Sequence, residues 1–360
     1  MTVSRPVAPG AAGRAWDMFF HSVSFAVLLC GLLFLASCAT VPKTALQPPD
    51  AAGTEYFPLA SGALAYVYAD VDAARPLLDH FSLGGVSGSQ AADILDRTRY
   101  AVAAVYPEAP AKPEGDQDLP AQNVQNVQAA AWGNYPSARA QFAFTFSKDW
   151  KKRKSATGKP YWYSERNGLS VALNAGQAFV SLAAPGPVPG DAAANLKNPL
   201  DPFAPPPGTP SPEGFAEFRR GAALALWVEN PAVPLNRFLS DMKLPLQIPA
   251  EQLLISLLPA VQAGPEPTAA SSADPGSAGY EARIRIKTPT ATQARGLVTL
   301  FSMARLFVTN AAGAGGAAVL LPALFANPPV QEGAFLNIHT ATLEAGDIAL
   351  LFSQFSSFSR

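Results

Sequence analysis

The chain has 360 residues, 26 Lys and Arg against 27 Asp and Glu, 49% apolar residues and two cysteines. That length and apolar share suit one large core or two modest ones. The near-balanced charge argues against a nucleic-acid partner, and two cysteines are too few for a disulfide framework or a thiolate metal site.

Chain order begins with the run "VSFAVLLCGLLFLA" from Val23 to Ala36, preceded by Arg5 and Arg14 with Asp17 opposing them. It has the length of a signal-peptide core and falls short of the roughly 20 residues that span a bilayer. A continuous helix from Met18 is the competing reading, and His21 and Ser22 interrupt it. Leu35, Ala36, Ser37 and Cys38 follow: a large aliphatic residue, two small residues and a thiol.

This tetrad resembles the lipobox of bacterial lipoprotein precursors, a resemblance confined to the leader. It implies that residues 1–37 are a signal peptide cut between Ser37 and Cys38. It also implies that Cys38 carries diacylglycerol on sulfur and an acyl chain such as palmitate on its new amine. Thiols are the nucleophiles such a transfer needs, and two or three acyl chains anchor durably where one does not. Ala39, by the enterobacterial sorting habit, implies the outer membrane, facing the periplasm or the surface. Cys30 leaves with the leader, so the exported part has no free thiol.

Residues 38–55 are small, polar and proline-bearing, a flexible tether. Residues 185–214 hold ten prolines and read as a linker. They separate two α+β repeats, 56–184 and 215–360, whose elements recur in the same order. "GALAYVYADVDAARPLLDHF" from Gly62 parallels "GAALALWVENPAVPLNRFLSD" from Gly221: a strand, then a helix with proline expected in its donor-free first turn. Second helices are predicted from Ser87 and from Ile248, with an extra strand, Arg99 to Tyr106, in the first half alone.

Strands then lead through Pro136-Ser137 and Pro289-Thr290, as serine and threonine caps, into further helices. Phe142, Phe144 and Phe146 also fit a strand by period, but the parallel with the second half, and a stripe of Phe142, Phe146 and Trp150, favour helix. Hairpins close each half, with turns at Asn167-Gly168, Ala175-Gly176 and Ala345-Gly346. The expected fold is two similar β-α-α-β-α-β-β halves forming mainly antiparallel sheet with helices packed on one side. The glycine-rich run from Asn310 interrupts the second half.

Chemistry-bearing motifs are scarce. The exported part has two histidines, His80 late in a helix and His339 in a strand, and no nucleophile elbow, zinc helix or phosphate loop. Gly84, Gly85 and Gly88 before a helix can form an anion nest or serve as a plain loop. Lys151, Lys152, Arg153 and Lys154 are the one concentrated basic run: solvated helix-end residues, or a contact for anionic headgroups. Trp132, Trp150, Trp162, Trp227, Tyr161 and Tyr163 can line a groove or fill a core.

These features point to a lipid-anchored envelope protein that binds or scaffolds without catalysis. No catalytic residue, cofactor or metal is assigned. The membrane is its partner through Cys38, with an envelope protein, peptide, glycan or lipid as possible ligands. The alternatives are a carrier of a hydrophobic ligand and a carboxylate hydrolase, for which Asp70 and Asp72 lie at one strand end and Glu229 at the comparable place in the second half.

Overall fold

The computed structural model describes residues 63–80, 95–106, 126–154, 160–164, 169–173, 176–182, 212–232, 236, 247–260, 279–310, 323 and 326–350. The expected leader, Cys38, the expected tether, residues 185–211 of the expected linker and Gly84, Gly85 and Gly88 lie outside them. The chain divides into two compact units at Trp227 and Val228.

In the first unit, β1 (Ala65–Asp70) ends at the carboxylate that starts α1 (Val71–Leu78): Asp70 Oδ1 accepts the Ala73 N–H at 3.2 Å. Val71, Ala74 and Leu77 recur at helical spacing and are buried. Pro76 lies within the helix rather than in its first turn. The missing donor and ring clash of proline limit the helix, which ends two residues later.

β2 (Thr98–Tyr106) pairs antiparallel with β1, and β3 (Asn126–Gly133) with β2. Alanine pairs, Ala101 with Ala131 and Ala103 with Ala129, lie in that second pairing. Then come α2 (Ser137–Phe146), β4 (Lys151–Lys154), β5 (Pro160–Ser164), β6 (Leu169–Leu173) and β7 (Gln177–Leu182). The strands bracket both expected hairpin turns.

α3 (Phe215–Arg219) follows, then β8 (Leu224–Glu229), whose first four residues belong to this unit. The strand order is β8-β1-β2-β3-β7-β6-β5-β4. α3, expected to open the second half, belongs to this first unit because fully buried Phe215 packs on Tyr66, ring centroids 6.4 Å apart. Trp227 packs on the same Tyr66 at 5.5 Å.

The second unit holds β9 (Gln252–Pro259), β10 (Gly279–Lys287), α4 (Ala291–Asn310), β11 (Val330–Glu332) and β12 (Phe335–Glu344), in sheet order β9-β10-β12-β11. All of its pairings are antiparallel. The helix expected from Ile248 is therefore the strand β9, in unbroken register with β10 from Gln252–Lys287 to Pro259–Tyr280. Leu253, Leu254, Ser256 and Leu257 are all buried. A strand covered on both faces gives a continuous apolar run that periodicity does not separate from a buried helix.

β9 also occupies the place of the strand expected in the first half alone, and the helix expected from Ser87 lies outside the described residues apart from its end at 95–97, which is helical. The hairpin expected at Ala345-Gly346 is absent: 345–350 is helical, with Ala345 and Ile348 buried. β12 instead makes its hairpin with β11 through Gly333, whose φ of 61° suits glycine. α4 begins at a threonine cap as expected, Thr290 Oγ1 accepting the Gln293 N–H at 3.2 Å. The α2 counterpart differs, for its cap position is Pro136 and no side chain caps it.

Candidate functional site

The features most suited to function lie where α2 hands over to β4. The region 137–146 is helical, but its buried face is not the expected stripe. Phe144 is 5% exposed, whereas Phe142 and Phe146 are 65% and 71% exposed. In a helix Phe144 points away from the face shared by positions 142 and 146, which stand four residues apart. Its ring packs on Trp150 at 4.7 Å and on Trp162 at 5.6 Å. Gln141 extends the attachment, donating from Nε2 to the Leu173 carbonyl at the end of β6. Phe142 and Phe146 are left facing outward together, ring centroids 4.4 Å apart.

The helix stops at Ser147, and the basic run begins four residues later as a strand. Lys151–Lys154 is not the solvated helix end expected: it pairs with β5, Lys151 opposite Tyr163, Lys152 opposite Trp162, Arg153 opposite Tyr161 and Lys154 opposite Pro160. Lysines on a terminal strand oppose uncontrolled edge pairing. Aromatic residues hold their heads, with Lys152 Nζ 5.7 Å from the Trp162 centroid and the Arg153 guanidinium 4.3 Å from that of Tyr163. Lys151, Lys152 and Lys154 are exposed, as is Lys148 just before the strand. Two outward phenylalanines and a cationic edge thus lie on adjoining elements, an amphipathic contact surface.

The other sequence candidates separate. Trp162 at 1% exposed, Tyr163 and Trp227 are core, and Trp132, Trp150 and Tyr161 are half-buried. Trp162 Nε1 and Ser164 Oγ are buried on β5 with no partner among the described residues. His80 lies in the turn beyond α1 and His339 on β12, both exposed.

Asp70 serves as the α1 cap. Partial burial raises its pKa above the ordinary value, against the opposing effect of the Ala73 N–H and with a smaller push from Asp72. Asp72 stands 3.9 Å from Arg99, and Arg75 bonds Asp79 at 3.1 Å and Asp96 at 2.7 Å. These carboxylates are engaged in local surface structure. Glu229 is exposed at the end of β8. Among the described residues, no group of three His, Cys, Asp or Glu is arranged to hold a metal ion, and no helix is long and apolar enough to cross a membrane.

The sequence shows the cations but not the phenylalanine face, because helical spacing alone joins Phe142, Phe146 and Trp150 in one stripe. The signal that separates them is the single aromatic at Phe144, which alone has Trp150 and Trp162 to pack against.

No family model matches the chain, and no curated protein matches it. Among solved structures, it is similar to three crystal forms of TP0453. Form III aligns at 18% identity over 82% of this chain and 96% of that one, TM-score 0.49. Form IV aligns at 18% over 82% and 94%, TM-score 0.47, and form I at 17% over 83% and 97%, TM-score 0.46. At this identity no residue role passes from those structures to this chain.

Proposed function

We propose that the protein is a lipid-anchored module of the bacterial envelope, tethered through acylated Cys38, that binds a partner without catalysis through the surface of α2 and β4. The observation that carries this reading is the pairing of outward Phe142 and Phe146 with the cationic edge Lys151–Lys154. Exposed phenylalanines do not stabilise the monomer by burial, and such clusters mark contact sites. The leader supports the location: the lipobox ends in a cysteine, and the following 38–55 segment gives the domain reach from the membrane.

Duplication belongs to the same proposal. Its support is that β1, β2 and β3 are successive neighbours in the first unit as β9 and β10 are in the second, and that a helix, α2 or α4, follows the last strand of each series. The carboxylate-hydrolase alternative draws no support from Asp70 and Asp72, which serve the α1 cap and stand beside Arg99, and the carrier alternative none from Trp162, Tyr163 and Trp227, which are buried in the core.

Metabolic labelling with an alkyne fatty acid tests the anchor: the wild type takes up label and Cys38→Ala does not. A photo-crosslinking amino acid placed at Phe146 tests the surface, with a crosslinked envelope species expected. Labelling that persists in Cys38→Ala, or a Phe146 probe that captures nothing while a probe at exposed His339 does, overturns the corresponding part.

A further inference from the structure

The partner class of this surface follows from the chemistry of its edge. β4 ends the strand order of the first unit, with β5 on one side and no strand on the other among the described residues. Opposite Lys154 stands Pro160, which has no N–H to exchange. A proline is suited to a position where ladder bonds are not exchanged, and antiparallel positions alternate, so Lys152 opposite Trp162 shares that setting. The backbone groups of Lys152 and Lys154 then face away from β5, toward the open side.

We infer, resting on the binding-module reading above, that β4 accepts an extended acidic peptide segment of a partner protein as an added antiparallel strand. Strand addition gains main-chain hydrogen bonds at an exposed edge, and side chains of the added strand select the partner. Four successive cations make that selection. Two copies of β4 repel one another, so the charge that bars self-pairing favours a strand bearing Glu or Asp opposite Lys152 and Lys154.

The cations are presented on both faces of the β4–β5 hairpin, Lys152 against Trp162 and Arg153 against Tyr163, so acidic residues on either face of the incoming strand meet one. Phe142 and Phe146 on α2, which packs against β4, offer the apolar contact that a purely electrostatic encounter lacks. An anionic bilayer would match the charge but would draw nothing from the backbone of the edge.

The test uses the full acylated protein in detergent micelles and a fluorescein-labelled (Glu-Val)4 peptide followed by anisotropy. Saturable binding is expected, with affinity falling at least about tenfold in the double variant K152E/K154E and with rising salt. Alternate N-methylation of the peptide backbone should abolish binding, and (Lys-Val)4 should not bind. Equal binding of the N-methylated peptide, unchanged affinity in K152E/K154E, or no saturation overturns strand addition. Vesicles of phosphatidylglycerol provide the separating arm. If they bind the wild type but not K152E/K154E while (Glu-Val)4 does not bind, strand addition is lost and the contact surface stands; if neither probe binds and the Phe146 crosslink is also absent, the surface itself is lost.

Discussion

Truncating Phe144 to alanine is expected to destabilise the first unit far more than the same change at Phe142 or Phe146, although all three share one short helix. Phe144 is 5% exposed and its ring fills the space between Trp150 and Trp162, with Leu169, Val171 and Val180 in the same buried cluster. Removing a buried phenylalanine leaves a cavity as well as losing transfer energy, so Phe144→Ala should cost about 3–5 kcal/mol. In a unit of this size each kcal/mol lowers Tm by about 2–4 °C, which places the variant roughly 6–20 °C below the parent.

Phe142→Ala and Phe146→Ala remove side chains that are mostly in water and should fall within about 0.5 kcal/mol of the parent. Circular dichroism melts and urea titrations of the three variants measure the contrast. A Phe142→Ala loss as large as that of Phe144→Ala would mean that the helix presents its other face to the sheet, and the outward aromatic pair on which the contact surface depends would not exist.

Gly133→Ala should destabilise strongly, because an added Cβ would lie 1.9 Å from the Arg97 carbonyl oxygen, which accepts the Asn134 N–H at 2.8 Å. Gly221→Ala meets no neighbouring atom but carries φ +71°, so it should lose only about 1–2 kcal/mol of stability to backbone strain; equal urea midpoints for the two variants would refute the distinction. Asp70 gives a pH dependence. Its carboxyl pKa is raised above 3.8, so its contribution is fully present below that value and is lost as pH rises through the folded pKa.

Asp70→Asn keeps an acceptor for the Ala73 N–H and should flatten that part of the stability profile; urea unfolding from pH 3 to 7 with identical slopes in both proteins would refute the cause assigned. Thr288 Oγ1 donates within a turn that also holds the Ala334 carbonyl at 2.9 Å, and Thr288 is 1% exposed. Thr288→Val should therefore cost about 0.5–1.5 kcal/mol through the lost hydroxyl donor, since the Ala334 carbonyl keeps the Thr288 N–H at 2.9 Å, while Thr288→Ser should restore most of it, read as urea midpoints.

Some of this protein was decided along the chain itself. The alternation in "AYVYAD" ended by an acidic cap, the paired strands around Asn167-Gly168 and Ala175-Gly176, and the threonine cap before Ala291 each depend on neighbours a few residues away, and each formed as that local chemistry requires. The resemblance to a lipobox, on which the proposed anchor rests, is local too, since it is a matter of four adjacent residues.

Tertiary structure decided the rest. "QLLISLLP" became a strand because β10 supplied a full set of pairing groups and both its faces found cover. The chain beyond Glu344 turned helical instead of returning as a strand, while β11 took the place beside β12. The basic run became an edge because β5 paired with one side of it. Which phenylalanine of three is buried was likewise set by Trp150 and Trp162, one beyond the helix and one on a different strand. Burial and edge position are properties of what packs alongside, and a sequence pattern states a residue's own preferences without naming its neighbours.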